Sequence, residues 1–233
     1  MSVDCKEMMA AAGNYGGERK AENIRYLVVH YTGNAGDSAA GNAAYFRDNI
    51  VKASAHYFVD DSNIYRSVPD LRSAWAVGGT LWADHAKTGG GSMYGVITNA
   101  NSISVELCGT AGDGTARASA ATLENAAALC RELMARYKIP VEHVVRHFDV
   151  TGKHCPAYLM DGEAWMRFKA RLEEPMDNRP AAYAKEAVEW ARETGIMTGT
   201  AEGDLMLNQP VTRQQLVTML YRYHRQFEMS EET

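Results

Sequence analysis

Cysteine is scarce in this chain of 233 residues, which has four, at Cys5, Cys108, Cys130 and Cys155. Four cysteines are too few and too widely spaced to form a disulfide framework. We therefore expect reduced thiols, at least one of which has a chemical role. The pattern around Cys130 is that of one face of a helix, so this thiol is expected in the core.

Long apolar runs are also missing. The longest run near the start, Met8–Ala12, is shorter than the hydrophobic core of a signal peptide. No stretch approaches the ~20 apolar residues of a membrane-spanning helix. These two absences predict a protein with no signal peptide and no membrane partner.

A surplus of basic residues is absent as well, since 24 Lys and Arg stand against 29 Asp and Glu. This balance argues against a nucleic-acid partner. The charge is uneven, because residues 1–172 carry 18 residues of each sign and the final 61 residues carry the whole net charge of -5. We therefore predict a domain over 1–172, a linker over 173–178 and a small module over 179–233.

Hydrophobic patterns divide the first domain into alternating elements. Apolar runs predict strands over residues 25–32, 56–60, 63–68, 102–108 and 144–147. Helical spacing predicts helices over 37–50 (capped by Asp37 or Ser38), 122–137 (capped by Thr122) and 163–172. Residues 75–101, with six glycines, and 148–156 are predicted to be loops. The alternation predicts an α/β fold with a central mixed β-sheet flanked by helices.

Three residues have the chemistry of a metal site. His30 lies near the end of a predicted strand, and His147 and Cys155 bracket the segment RHFDVTGKHCP. Zinc prefers histidine nitrogen and cysteine thiolate, and a catalytic zinc site uses three protein ligands. A single histidine on a strand is more often a core residue, so the prediction depends on the combination.

Four segments together resemble a known family. They are VVHYTGN (Val28–Asn34), SAHYFVDD (Ser54–Asp61), NSISVELC (Asn101–Cys108) and RHFDVTGKHCP (Arg146–Pro156). In this order they resemble the zinc-dependent N-acetylmuramoyl-L-alanine amidases, the family that includes phage lysozyme-type amidases and the peptidoglycan recognition proteins. The resemblance covers roughly residues 12–170 and implies that His30, His147 and Cys155 bind Zn²⁺.

The same resemblance implies two catalytic residues. Glu106 would handle the proton of the attacking water, and Lys153 would stabilise the negative charge on the substrate oxygen. Apolar neighbours on a strand are expected to raise the pKa of Glu106. The alternatives are a surface carboxylate on an edge strand and a solvated loop lysine.

Substrate contacts are predicted at Tyr31, His56 and Trp75, with packing as the alternative for each. For His56 a further alternative is a position behind the metal ligands, where it would support them without binding the metal. The chain departs from the family at Ala55, where some branches have tyrosine, and at Ala76, where many relatives have histidine. The first departure leads us to expect that catalysis depends on Glu106 rather than on a phenol.

The acidic end predicts a helix-loop-helix module, with a capping box from Thr212 to Gln215. Its segments AVEWARETGIMTG and PVTRQQLVTMLYRY resemble one surface-layer homology repeat, which implies binding to a secondary cell-wall polysaccharide. By that resemblance Asp177, Tyr183 and Arg213 are the candidate ligand-binding residues. Such repeats usually occur in threes, so a homo-oligomer formed through this module is a further expectation.

Together these patterns predict a peptidoglycan hydrolase that cleaves the amide bond between N-acetylmuramic acid and L-alanine. A phage or prophage endolysin, made in the bacterial cytoplasm and released to the wall through a holin, is the expected context. Two alternatives stay open. One is a non-catalytic peptidoglycan-binding module, and the other is a Cys/His endopeptidase that uses Cys108 or Cys155.

Overall fold

The computed structural model describes residues 5–173, 180–199, 205, 207 and 211–227. The chain divides after Glu173 into two units. We call them the N-terminal unit (described residues 5–173) and the tail (described residues from 180 onward). The predicted linker over 173–178 lies, apart from Glu173, outside the described residues.

A six-stranded mixed sheet forms the centre of the N-terminal unit, with the strand order β1-β5-β4-β7-β3-β8. Its strands are β1 (Cys5–Glu7), β3 (Tyr26–Tyr31), β4 (Tyr57–Val59), β5 (Ile64–Arg66), β7 (Ser102–Leu107) and β8 (Val144–Arg146). Only the pair β4 and β5 is antiparallel. Strands β2 (Tyr15–Glu18) and β6 (Arg72–Ala74) form a separate antiparallel pair. The predicted fold class is confirmed.

Helices flank this sheet. They are α1 (Ala39–Asp48), α2 (His85–Thr88), α3 (Ala120–Tyr137), α4 (His147–Thr151) and α5 (Gly162–Glu173). Short 3-10 turns lie at Ala12–Asn14, Ala21–Asn23, Val141–His143 and Ala157–Leu159. In the described part of the chain, every helix is too short or too polar to cross a bilayer.

Side-chain alternation along the strands separates two faces of the sheet. On one face, Leu27 and Val29 of β3 join the main core, together with Ile103 and Val105 of β7 and the apolar sides of α3 and α5. On the other face, Val28 contacts a smaller cluster that includes residues of the 77–97 loop and of α4. Both faces of the central strands are therefore covered, which explains their continuous apolar sequence.

Two helix starts test the predicted caps. The hydroxyl of Ser38 accepts a hydrogen bond from the Gly41 N–H at 3.1 Å, so one of the two predicted caps of α1 is confirmed. The predicted cap Thr122 is wrong, because Ser119 caps α3 by accepting from the Thr122 N–H. Thr122 is instead buried, and its hydroxyl donates to Asp61 at 2.7 Å.

Both predicted loops contain helical turns. The segment predicted as a loop over 148–156 begins with α4, whose carbonyls bond to the neighbouring loop. The glycine-rich segment 75–101 is irregular except for α2. Short turns of this kind have no hydrophobic periodicity long enough to be recognised from the sequence.

The tail contains a 3-10 turn at Ala182–Ala184 and two helices, α6 (Lys185–Glu193) and α7 (Arg213–Phe227). The predicted capping box is confirmed, since the Thr212 N–H donates to Gln215 Oε1 at 2.8 Å and the Gln215 N–H donates to Thr212 Oγ1 at 3.2 Å. Arg222 of α7 donates to the carbonyl of Ile196, which ties the two helical segments together.

Candidate metal centre

Three adjacent parallel strands bring the predicted site residues to one edge of the sheet. His30 on β3 is the direct register partner of Glu106 on β7. On the other side of β3, Val28 pairs with Val145 of β8, and His147 begins α4 directly after this strand. The carboxyl ends of parallel strands are where α/β folds usually place their ligands.

Cys155 completes the group. One ligand atom each from His30, His147 and Cys155 lie within 4.8 Å of one another, and all three residues are buried. The His30 Nδ1 atom lies 3.9 Å from Cys155 Sγ, and the two imidazole centroids are 4.5 Å apart. The loop that carries Cys155 returns because α4 ends at Gly152, which has a φ of +80°.

Both imidazoles of this group are kept neutral, which is the form that binds metals. Burial, strengthened by the charge of His147, lowers the pKa of His30 well below its ordinary value. Burial and the positive charge of Lys153 lower the pKa of His147 to about 4. His147 Nδ1 is buried and has no hydrogen-bond partner among the described residues. A neutral imidazole with an unused buried nitrogen suits a metal ion.

For the thiol of Cys155, burial outweighs the positive charge of Lys153 that favours the ionised form. Burial raises the pKa of Cys155 to about 12, and the Glu106 carboxylate adds to this effect. A thiolate at this position therefore requires a cation beside it. Two neutral imidazoles and one thiol form a donor set that fits zinc.

Glu106 lies against the group formed by His30, His147 and Cys155. Its Oε1 atom is 3.9 Å from His30 Nδ1, and its side chain is 19% exposed. Desolvation raises the pKa of Glu106 to about 7, with Lys153 opposing the shift and Asp37 adding to it. Since β7 lies between β4 and β3, the alternative of an edge-strand surface carboxylate is wrong.

Lys153 lies on the exposed turn between α4 and Cys155. Its positive charge lowers the pKa values of His30 and His147 and opposes the raised pKa values of Glu106 and Cys155. The structure therefore brings Lys153 close enough to act electrostatically on this group.

Asp37 is a carboxylate near the site that our sequence reasoning noted only as a helix cap. Its Oδ1 accepts a hydrogen bond from the Gly109 N–H at 2.6 Å, and its Oδ2 accepts from Asn42 Nδ2 at 2.6 Å. Gly109 is required, because a Cβ there would lie 1.9 Å from the Asn34 carbonyl oxygen. Asp37 thus fastens the loop after β3 to the end of β7.

His56 is 1% exposed and belongs to a buried polar network. Its Nδ1 accepts from the Ser104 N–H at 3.0 Å, and its Nε2 lies 2.8 Å from Arg19 Nη2 and 3.0 Å from the Arg72 carbonyl. No substrate can reach a ring enclosed in this way. The predicted substrate contact of His56 is therefore replaced by a structural role.

Tyr31 and Trp75 also take up packing positions. Tyr31 packs against the core on the α3 side and meets the edge of the Tyr158 ring, with centroids 5.9 Å apart. It follows His30 on the strand, so its side chain lies on the opposite face. Trp75 is half-buried, and its Nε1 lies 3.1 Å from a Cβ placed at Gly16 of β2. Both side chains make packing contacts, and their contacts with substrate stay predictions.

The candidate residues of the tail are not all described. Asp177 lies outside the described residues. Tyr183 is 90% exposed, and Arg213 is exposed at the start of α7. A groove between the 196–199 segment and α7 is lined partly by Ile196, Val211 and Met219.

Family comparison agrees with this geometry. Residues 20–158, more than half of the chain, match the family model described as N-acetylmuramoyl-L-alanine amidase. The chain therefore belongs to this family.

Two curated relatives are themselves named N-acetylmuramoyl-L-alanine amidases. XlyA of Bacillus subtilis (strain 168) is 36% identical over 149 residues, which is 63% of this chain and 43% of the relative. CwlL of Bacillus licheniformis is 30% identical over 169 residues, which is 69% of this chain and 44% of the relative. The chain thus spans less than half the length of each.

Solved structures show the same fold. The catalytic domain of XlyA has a TM-score of 0.56 and 30% identity, covering 73% of this chain and 99% of that structure. PlyL has a TM-score of 0.57 and 28% identity, covering 74% of this chain and 97% of that structure. Both likenesses support the mixed sheet flanked by helices.

Proposed function

We propose that this chain is a zinc-dependent N-acetylmuramoyl-L-alanine amidase that acts on peptidoglycan. It hydrolyses the amide bond between the lactyl carbonyl of N-acetylmuramic acid and the amino group of L-alanine. The observation that carries the proposal is the buried group of His30, His147 and Cys155 with Glu106 against it. The names of XlyA and CwlL support the same reaction.

In this proposal His30, His147 and Cys155 hold the zinc ion. Zinc bound there would supply Lewis-acid chemistry and would lower the pKa of a bound water molecule toward ~7. The protein contributes a donor set whose imidazoles are already neutral and whose thiol is enclosed.

Glu106 transfers protons in the reaction, and Lys153 stabilises negative charge. The Glu106 carboxylate takes a proton from the attacking water and returns it to the alanine nitrogen as the C–N bond breaks. Burial favours the protonated form of this carboxyl, which helps it to accept the proton. The Lys153 ammonium offers positive charge to the carbonyl oxygen as that oxygen becomes negative. Asp37 holds the adjoining loops in place.

The direct test is the product of the reaction. Purified peptidoglycan digested with the full chain should gain L-alanine amino termini and no new reducing sugar ends. New reducing ends would indicate a glycosidase, and amino termini of other residues would indicate a peptidase. Either result would overturn the proposal.

Metal binding is tested by Cys155→Ser, which should lose bound zinc and lower hydrolysis by at least about 1,000-fold. The matched control is Cys5→Ser, a thiol on the edge strand β1, which should keep both zinc and activity. A zinc-free Cys155→Ser protein that still hydrolyses walls would contradict the mechanism.

The Cys/His endopeptidase is the weaker alternative. A nucleophilic thiolate needs a lowered pKa, whereas burial raises the pKa of both Cys108 and Cys155. Loss of activity with a chelator and recovery with zinc separates the two mechanisms. The non-catalytic binding module fails if the digestion yields new amino termini.

For the tail we propose weak binding to a secondary cell-wall polysaccharide, with self-association as the alternative. Its support is the resemblance to a surface-layer homology repeat and the exposure of Tyr183 and Arg213. The full chain should sediment with purified walls, and Arg213→Ala should weaken this while leaving the product of hydrolysis unchanged. If Arg213→Ala leaves sedimentation unchanged, polysaccharide binding through Arg213 is ruled out. If the chain is also a monomer by light scattering, self-association is ruled out as well.

The place of action follows from this substrate. We propose that the enzyme meets peptidoglycan at the cell wall after release from the compartment in which it is made, as a phage or prophage endolysin does.

A further inference from the structure

Trp82, an aromatic residue of the glycine-rich loop, packs against the segment that runs from His147 to Cys155. It is 45% exposed, and its backbone N–H donates to the Thr151 carbonyl at the end of α4 at 2.9 Å. Trp82 therefore has a fixed anchor on the segment that connects His147 to Cys155.

Close backbone packing holds this anchor. Gly152 has a φ of +80°, and a Cβ there would lie 2.6 Å from His85 Cβ and 3.6 Å from Trp82 Cβ. Two further loop N–H groups, of Gly91 and Met93, donate to the carbonyls of Phe148 and Asp149. The loop and the metal-binding segment thus form one packed surface.

The indole ring of Trp82 stacks on the imidazole ring of His154. Trp82 and His154 are nearly parallel, with an interplanar angle of 18° and centroids 6.5 Å apart. His154 is exposed and immediately precedes Cys155, so the paired rings begin one residue from a proposed zinc ligand. We call Trp82 and His154 the aromatic platform.

We propose that the aromatic platform binds a sugar ring of the glycan next to the scissile bond. This inference rests on the proposed function, since the bond cleaved joins a sugar substituent to a peptide. The C–H face of a pyranose matches a flat aromatic surface, whereas a stem peptide with carboxylates is better matched by the Lys153 charge. Trp82 therefore contributes to substrate binding rather than to the proton transfers.

The first test observes the indole N–H signals of the full chain labelled with ¹⁵N-tryptophan. The four tryptophan signals are assigned with Trp82→Phe and related variants. Peptide-free N-acetylglucosamine–N-acetylmuramic acid disaccharide should shift the Trp82 signal, and a sugar-free stem peptide should not. If the disaccharide leaves this signal unmoved, or if the stem peptide alone moves it, the proposal is overturned.

The second test uses kinetics on soluble muropeptides. Trp82→Ala should raise KM about 5- to 10-fold with little change in kcat, and Trp82→Phe should stay within about 3-fold of wild type. Tyr45→Ala, an aromatic that is 51% exposed on α1, is the matched control and should change neither constant. Equal losses for Trp82→Ala and Trp82→Phe, or a loss confined to kcat, would contradict the platform.

The two proposals can fail separately. A protein that hydrolyses no wall amide but shows the disaccharide shift at Trp82 keeps the platform and loses the amidase. An active amidase without that shift keeps the activity and loses the platform.

Discussion

The N-terminal unit and the tail differ in how far they bury their large apolar residues. In the N-terminal unit, leucines such as Leu27, Leu107 and Leu133 are at most 1% exposed in a core shared by sheet and helices. In the tail, Leu216 and Leu220 of α7 are 46% and 58% exposed. The first unit therefore draws stability from burial, whereas the described helices of the tail depend more on local bonds such as the Thr212 capping box.

The two units also differ in whether they bury polar residues. The N-terminal unit buries Arg19, whose guanidinium donates to the carbonyls of Asp70, Asn99 and Ser102. In the described part of the tail, the buried residues are the apolar Ala191 and Ile196. Buried polar groups with satisfied bonds fix one arrangement of a core. A substitution should therefore have large effects in the first unit and small ones in the second.

Among substitutions that leave the metal ligands intact, the largest effect is expected for Glu106→Gln. The amide cannot take up the proton of the water, so kcat should fall about 10²- to 10⁴-fold while bound zinc stays at the wild-type level. Turnover of a soluble muropeptide and metal analysis measure the two quantities. Glu22→Gln, a residue whose side chain is 75% exposed, is the control and should keep full activity. More than a third of wild-type kcat in Glu106→Gln would remove this residue from the mechanism.

Leu133→Ala tests the core of the N-terminal unit. Leu133 on α3 is 1% exposed within the main core, so truncation leaves a cavity. We expect a loss of about 2–5 kcal/mol in the free energy of unfolding. Chemical denaturation monitored by circular dichroism measures this loss. A change below about 1 kcal/mol would show that the core around α3 is not packed as described.

His56→Gln tests the buried polar network through pH. Burial, with the charge of Arg19 adding to it, lowers the pKa of His56 from 6.5 to about 3. Between these values the unfolded chain binds more protons, so wild-type stability falls as pH falls. His56 therefore accounts for a loss of about 2 kcal/mol in the free energy of unfolding between pH 7 and pH 5.

The variant should therefore lose about 2 kcal/mol less than wild type over this pH range, although it starts from lower stability. His143→Gln is the control for removing a histidine, since the ring of His143 stacks on Tyr26 outside this network. Parallel stability curves for wild type and His56→Gln between pH 7 and pH 5 would show that His56 is not held neutral.

The strands that carry His30 and Glu106 were predictable from the sequence, whereas the roles of the site residues came from the family resemblance. The apolar run around His30 and the one around Glu106 predicted two buried strands, and both are confirmed as β3 and β7. Their direct pairing was not predictable, because register depends on contacts between distant segments. The same holds for α4, a helix too short to show periodicity.

The burial of His56 and Arg19 was not predictable from the sequence. Arg19 and His56 have side chains that usually lie at surfaces or in sites, yet here each is enclosed and bonded to backbone. Partners so far away in the sequence cannot be inferred from a local pattern. The packing of Trp82 on the end of α4 was not predictable either, because its glycine-rich surroundings gave no periodic signal.

Leu220→Ala in the tail should have the smallest effect. Leu220 on α7 is 58% exposed, so truncation removes little buried surface and alanine favours a helix. The free energy of unfolding should change by less than about 0.5 kcal/mol, against about 2–5 kcal/mol for the same substitution at Leu133. Denaturation at two protein concentrations checks this. A loss above about 1 kcal/mol that grows with protein concentration would mean that α7 is covered in an assembled form, and the contrast between the two units would then hold for the isolated chain only.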